Sequence, residues 1–313
     1  RLDGLYQEFD KPKKVNARIE YLDPHTRETA ADETSPVLSA ANGATALAVV
    51  VRGFENPNVP HVFDSIDPAK ELARFIGNII ERDLWVCERR LERIDLMYAK
   101  AKSDELARER TVVAKCIEHL NDGELLERVE LRPEESEAIK AIEFYTAKPL
   151  LAILNADECK AATERLKELS DDLKSSMPSH ITVVSVCARI EQELLELEED
   201  DRCTFMDDMC ITSLAQDRII RASYEATGTI CFFTVGNDEV RAWPLRAGTK
   251  SVGAAGTIHS DLARGFIRAE VLGFDDYLKA GSVREAKAQK MVRLEGKEYT
   301  VQDGDIIEFR FNV

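Results

Sequence analysis

No run of about 18 apolar residues occurs in this 313-residue chain, and no basic segment leads into an apolar one. Neither a membrane-spanning helix nor a secretory signal is therefore expected. No C-x-x-C pair occurs among the seven cysteines, Cys87, Cys116, Cys159, Cys187, Cys203, Cys210 and Cys231. That pattern argues against a structural zinc site and for reduced thiols in a cytoplasmic protein. Positive charge is scarce: 42 Lys and Arg stand against 58 Asp and Glu, a net charge of -16. The deficit is uneven, because the stretch from Gly228 to Val313 holds 12 of each sign and everything acidic in excess precedes it. An acidic surface repels phosphate backbones, so bulk electrostatics do not support DNA or general RNA binding. The phosphate cradle G-x-x-x-x-G-K-[ST] is absent as well; the one Gly-Lys pair, Gly296-Lys297, is followed by Glu298.

What is present begins with the C-terminal stretch. Ile230 to Val235 is a β-branched and aromatic run suited to a buried strand, and Ile267, Ala269 and Val271 alternate with charged residues. Ser282 can cap a short helix through Gln289. Asp303-Gly304-Asp305 reads as a turn between Tyr299–Val301 and Ile306–Phe311. Strands around one helix predict a compact α+β unit of the β-grasp kind. The segments Cys231 to Gly236, Gly256 to Asp261 with Gly265 to Val271, and Arg293 to Tyr299 with Phe311-Asn312-Val313 resemble the TGS domain of the Obg-like ATPase (YchF) family.

Upstream, Val15 to Leu22 reads as a strand ending at Asp23, and Pro24 to Gly43 as a polar loop. Ala46–Val51, Leu150–Leu154 and Ile181–Val186 are apolar runs that alternate with helical patterns, the signature of a parallel sheet. Asp67-Pro68 opens a helix whose residues Ile80, Leu84, Cys87, Leu91, Ile94, Tyr98 and Ala101 keep heptad spacing. A second seam at Leu106, Val113, Ile117 and Leu120 predicts an antiparallel arm. Further helices are expected over Pro133–Tyr145, Ala161–Leu173, Glu191–Glu199 and Leu214–Tyr224. The cluster Arg89, Arg90, Arg93 is interleaved with Glu88, Glu92 and Asp95, as a solvated face would be, and His259 reads as structural.

This order extends the resemblance, from about Val49 to Val313. It implies an α/β chain: an incomplete P-loop NTPase-like parallel sheet (residues 1–66 and 141–227), an inserted helical coiled-coil arm (67–140) and a TGS domain (228–313). In the family the P-loop lies well before the position matching Arg1, so its absence looks like an N-terminal truncation. By resemblance the whole protein is a nucleotide-binding ATPase or GTPase using Mg²⁺, associated with the ribosome or translation factors. The alternative is a non-hydrolysing relative whose nucleotide site has decayed and whose arm and TGS domain bind partners. Whether the chain itself is an enzyme stays open.

The resemblance also nominates residues. Asp23 sits where the family has a Mg²⁺-facing Asp, but Pro24-His25-Thr26 follows instead of x-x-Gly. The loop has diverged or lost residues, or the site is degenerate. Asn155-Ala156-Asp157-Glu158 falls where guanine-specific proteins carry Asn-Lys-x-Asp, which makes Asn155 and Glu158 base-site candidates. Cys187-Ala188 would bring a backbone N–H to the base.

Overall fold

The computed structural model describes residues 1–9, 11–23, 41–59, 65–156, 161–178, 181–209, 211 and 213–312, with residues 161–167 described by their backbone alone. The chain forms two compact units: Leu22–Ala226, and Arg1–Tyr21 together with Thr227–Val313. The first 21 residues therefore belong with the C-terminal unit, a correction to the expectation that residues 1–66 join the nucleotide-binding fold. They form helix α1 (Leu2–Phe9) and strand β1 (Lys13–Val15). The strand expected over Val15–Leu22 is displaced: residues 16–23 have irregular backbone. β1 finds a partner for three residues only, from Lys13↔Glu239 to Val15↔Arg241. Alternation without a neighbouring edge makes no strand, because strand propensity is mostly packing against neighbours. The loop expected over Pro24–Gly43 lies largely outside the described residues.

In Leu22–Ala226, β2 (Leu47–Gly53), β3 (Leu150–Ala156) and β4 (Thr182–Val186) form a parallel sheet in the order β2-β3-β4. Their nearly continuous apolar sequences are what strands covered on both faces require. One face packs Leu47, Val51 and Leu154 against Leu72 and Ile79 of α2 (Pro68–Lys100) and Leu173 of α5 (Ala161–Ser176). The other buries Leu151, Ile153, Val184 and Val186 with Ala215, Ile219 and Ala222 of α8 (Ala215–Ala226). Between β4 and α8, the helix expected over Glu191–Glu199 is two helices, α6 (Ala188–Glu196) and α7 (Glu199–Asp208).

The arm is present. Asp67 accepts from the Lys70 N–H at 3.0 Å and Pro68 occupies the first turn, so α2 starts where its cap dictates. Residues 101–103 turn it into α3 (Asp104–Asn121), which runs back antiparallel. Arg90 pairs with Glu109 at 2.6 Å and Arg110 with Asp95 at 2.7 Å across the two helices. Arg89 lies over the Trp85 ring at 4.8 Å. Cys87, Ile94, Val112, Val113, Cys116 and Leu120 form the dry seam, whereas Leu84 and Leu91 are only partly buried. Burial pushes the Cys87 thiol up to about 12 and the Cys116 thiol to about 11. Ile94→Ala is expected to destabilise this unit by about 2–5 kcal/mol, and Leu91→Ala by less. Urea denaturation measures both; a loss below about 0.5 kcal/mol for Ile94 would mean that the helices do not pair through it.

The helix expected over Pro133–Tyr145 stops early, as α4 (Pro133–Ile139). The chain leaves it because Phe144 and Tyr145 bury their rings in two different cores. Tyr145 Oη donates to Asn42 at 2.8 Å, and the Arg82 guanidinium lies 4.0 Å over its ring. Glu143 accepts from Lys148 and from the Gly43 N–H, which holds its carboxyl below the usual range.

In the other unit the strands are β1, β5 (Thr229–Val235), β6 (Glu239–Arg246), β7 (Phe266–Leu272), β8 (Arg293–Glu295) and β9 (Ile306–Phe311). They form one sheet in the order β1-β6-β5-β9-β7-β8. Successive residues enter opposite cores, as strand geometry demands. Phe232, Val271 and Ile307 face Ala254 and Ala255 of α9 (Ser251–Ile258) and Leu262 of α10 (Ser260–Arg264). Phe233, Leu272 and Ile306 face Leu2 and Leu5 of α1, Tyr277 of α11 (Phe274–Ala280) and Ala286 of α12 (Val283–Ala288). The expectation of a single helix is corrected, since both faces of the sheet carry helices. Ser282 does cap α12, accepting from Glu285 N at 3.1 Å. Tyr299–Val301 is not a strand: it makes one isolated bridge, Lys250↔Thr300. His259 is the N-cap residue of α10, its Nδ1 accepting from Asp261 N at 3.2 Å.

Candidate functional site

In parallel α/β sheets ligands sit outside the carboxyl ends of the strands. Here those ends are Gly53, Asn155-Ala156 and Val186-Cys187-Ala188. The ladder puts Arg52 opposite Asn155 and Gly53 opposite Ala156, with Asn155 in turn opposite Val186. Asn155 is half-buried, and its Oδ1 accepts from the Ala188 N–H at 3.1 Å. That bond fixes the amide: with the NH₂ in the oxygen's place, two donors would meet. The oxygen keeps a second lone pair and the NH₂ remains a donor, so the amide can offer one donor and one acceptor to a ligand edge. Ala188 opens α6 and Cys187 is its N-cap residue, without a side-chain capping bond. Arg218 of α8 donates to Ser185 O at 2.9 Å and lies 3.8 Å from Glu191, which holds α8 and α6 against the end of β4.

On the β2 side Arg52 organises the turn that follows. Its Nε donates to Phe54 O at 2.9 Å, and its Nη1 and Nη2 donate to Val59 O and Asn56 O at 3.0 Å each. The guanidinium lies 4.6 Å over the Phe54 ring. The Arg52 N–H donates to Glu71 Oε2 at 2.9 Å, anchoring the strand end to the first turn of α2. Between them Gly53 must be small: a Cβ there would stand 2.8 Å from Leu154 Cδ1 and 3.2 Å from Asn155 O.

The nominated residues thus divide. Asn155, Cys187 and Ala188 are brought together at one edge. Glu158 lies outside the described residues, as does Asp157. Asp23 is exposed in irregular backbone, and among the described residues no group of three or more His, Cys, Asp or Glu could hold a metal ion. Arg52, Gly53 and Arg218 are site-forming residues that the sequence reading passed over. The available signal was an apolar run ending in Arg-Gly before a turn rich in Asn and Pro. A cavity of about 450 Å³ lined by Leu131, Ile139, Phe144 and Ala147 lies at the approach to the amino end of β3, away from this edge. No helix among the described residues is long and apolar enough to cross a membrane.

Comparison with known proteins adds a second line of observation. Residues 229–312 match the family YchF-GTPase_C, described as a protein of unknown function (DUF933). The chain is 36% identical over 277 residues to the ribosome-binding ATPase YchF of Bacillus subtilis, covering 88% of this chain and 75% of that protein. It is 33% identical over 321 residues to the ribosome-binding ATPase YchF of Haemophilus ducreyi, covering 100% and 86%. In fold it is similar to the solved structure of the Schizosaccharomyces pombe YchF GTPase, with a TM-score of 0.84 and 23% identity over 99% of this chain and 84% of that one.

Proposed function

The chain belongs to the YchF family, and on that premise we propose that it binds a purine nucleotide at the carboxyl edge of β2, β3 and β4 and associates with the ribosome in the cytoplasm. The observation that carries the nucleotide half is the Asn155–Ala188 bond, which aims a fixed amide out of the strand ends. The ribosome half rests on the relatives' names. The sheet also has room for a phosphate-binding half. Ala48 and Val50 are exposed, Val50 by 61%, on the face where their ladder partners Leu151 and Ile153 are buried. Parallel sheets cover both faces, so more of the fold belongs on this side of β2.

A nucleotide would bring the Mg²⁺ that neutralises its phosphates. Asp23 is the one nominated ligand, and Mg²⁺ is commonly held by one or two carboxylates plus phosphate oxygens and water, so a single protein carboxylate fits. A bidentate acceptor for guanine would need a carboxylate at Glu158, one methylene longer than the usual Asp and without the neighbouring Lys, since Ala156 stands there. Asn155 instead matches the N6/N7 edge of adenine, which pairs bidentately with an amide. ATP is therefore expected to bind at least as well as GTP. Competition between the two nucleotides with Mg²⁺ present tests it, and a GTP preference above about tenfold would refute it.

A second reading, that of a non-hydrolysing relative, is favoured by one feature: Pro24-His25-Thr26 follows Asp23 in place of x-x-Gly. Hydrolysis depends on preorganised charge at the phosphates, each such element being worth several kcal/mol of barrier. A polypeptide of these residues is expected to release no phosphate from ATP or GTP and still to co-sediment with ribosomes through sucrose. Magnesium-dependent turnover abolished by Asp23→Ala would refute the first expectation, and failure to co-sediment the second.

A further inference from the structure

Arg52 directs more of the surrounding chain than any side chain nominated for the site. One guanidinium holds three carbonyl oxygens of the turn over residues 54–59 and rests on the Phe54 ring. Inside that turn Asn58 N donates to Asn56 Oδ1 at 2.9 Å and Val59 N to Asn56 O at 3.1 Å, so the loop is curled around the arginine. The residue that sends out this guanidinium is the ladder partner of Asn155. The turn it shapes therefore starts two residues beyond the level of the Asn155 amide, on the neighbouring strand.

We propose that Arg52 is a positioning residue that sets the choice of purine: by fixing the 54–59 turn it forms the wall that holds a base in plane with the Asn155 amide. The inference rests on the nucleotide reading above. The chemistry is a matter of two atoms. With its oxygen turned toward Ala188 N–H, the Asn155 amide presents an acceptor and a donor together. Adenine answers with the N6 donor and the N7 acceptor, whereas guanine answers with two acceptors, O6 and N7. The mismatch discriminates only while the base lies in the amide plane, because a tilted base makes one bond at most and either purine can make that one. Such a bidentate pair is worth about 5- to 150-fold in selectivity. A lysine cannot replace the arginine, since a point charge lacks the planar fork that reaches three acceptors at once.

The test uses the 313-residue chain with ATP and GTP as probes, their affinities taken from saturation-transfer NMR titrations at millimolar nucleotide. Wild type is expected to favour ATP. Arg52→Lys is expected to bring the ATP-to-GTP affinity ratio toward one, a fall of about fivefold or more. An unchanged ratio in a folded Arg52→Lys chain overturns the proposal, even if both affinities fall together, because a purely structural arginine would weaken both purines alike. Where Arg52→Lys does not fold, Phe54→Leu removes the ring beneath the guanidinium and leaves the three carbonyls; a reduced ratio supports the proposal and a wild-type ratio overturns it. Wild type binding neither nucleotide overturns the nucleotide reading itself, and Arg52 with it.

Discussion

Asp83→Ala is expected to destabilise the Leu22–Ala226 unit by about 3–5 kcal/mol, the cost of removing one partner from a buried charged network. Asp83 has no solvent exposure. Its Oδ2 accepts from Thr146 N at 2.8 Å and Thr146 Oγ1 at 2.7 Å, and its Oδ1 accepts from Arg82 at 2.6 Å. Thr146 is itself fully buried, so truncation strands an N–H and a hydroxyl where water does not reach. Arg82 also donates to Glu143 O at 2.7 Å and covers the Tyr145 ring. Asp83 therefore ties α2 to the loop that feeds β3, and through it the arm to the sheet. Asp83→Asn keeps one acceptor oxygen for Thr146 and should cost less. Urea denaturation followed by Trp85 fluorescence in a Trp243→Phe background reads this unit alone, since the chain has two tryptophans and one lies in each unit. A change for Asp83→Ala below about 1 kcal/mol would mean that water enters and satisfies Thr146.

The parts of the fold that were legible are those whose signal is local. The apolar runs of β2, β3 and β4 announce buried parallel strands, and the 4, 3 spacing through Cys87 and Ile94 announces the arm. The Asp67-Pro68 start of α2 is a cap that needs no tertiary partner. What was missed depends on distant chain. β1 exists because β6, more than 200 residues later, offers an edge for three residues. α9 has the sequence Ser-Val-Gly-Ala-Ala-Gly-Thr-Ile, poor in helix formers apart from its alanines; burial of Ala254 and Ala255 against the sheet overrides the two glycines. The site divides in the same way. Asn155 and Cys187-Ala188 could be nominated because they fall at positions that the family resemblance marks for the base. Arg52 could not, because its meaning lies in a turn closing around it.

The reassignment of the first 21 residues carries the largest test of the C-terminal unit. Leu5 has no solvent exposure and packs in a core with Phe233, Val240, Tyr277 and Ile306. An eight-residue helix has little stability of its own in water, so α1 persists through this burial and its tethers. Those tethers are the β1–β6 pairing, the Lys14–Asp3 ion pair at 2.5 Å and the Glu8 carboxylate accepting from Val283 N at 2.9 Å. The ion pair is exposed and contributes little, about 0–1 kcal/mol, so the leucine dominates. Leu5→Ala is expected to lower the stability of this unit by about 2–5 kcal/mol, the range for a buried leucine whose cavity does not collapse. Trp243 on β6 reports it, in a Trp85→Phe background, as a lower urea midpoint. Lys14→Ala should move that midpoint little. If Leu5→Ala shifted the transition by less than about 0.5 kcal/mol, α1 would not be the cover of this face, and the sheet would have to bury Phe233 and Ile306 beneath α11 and α12 alone.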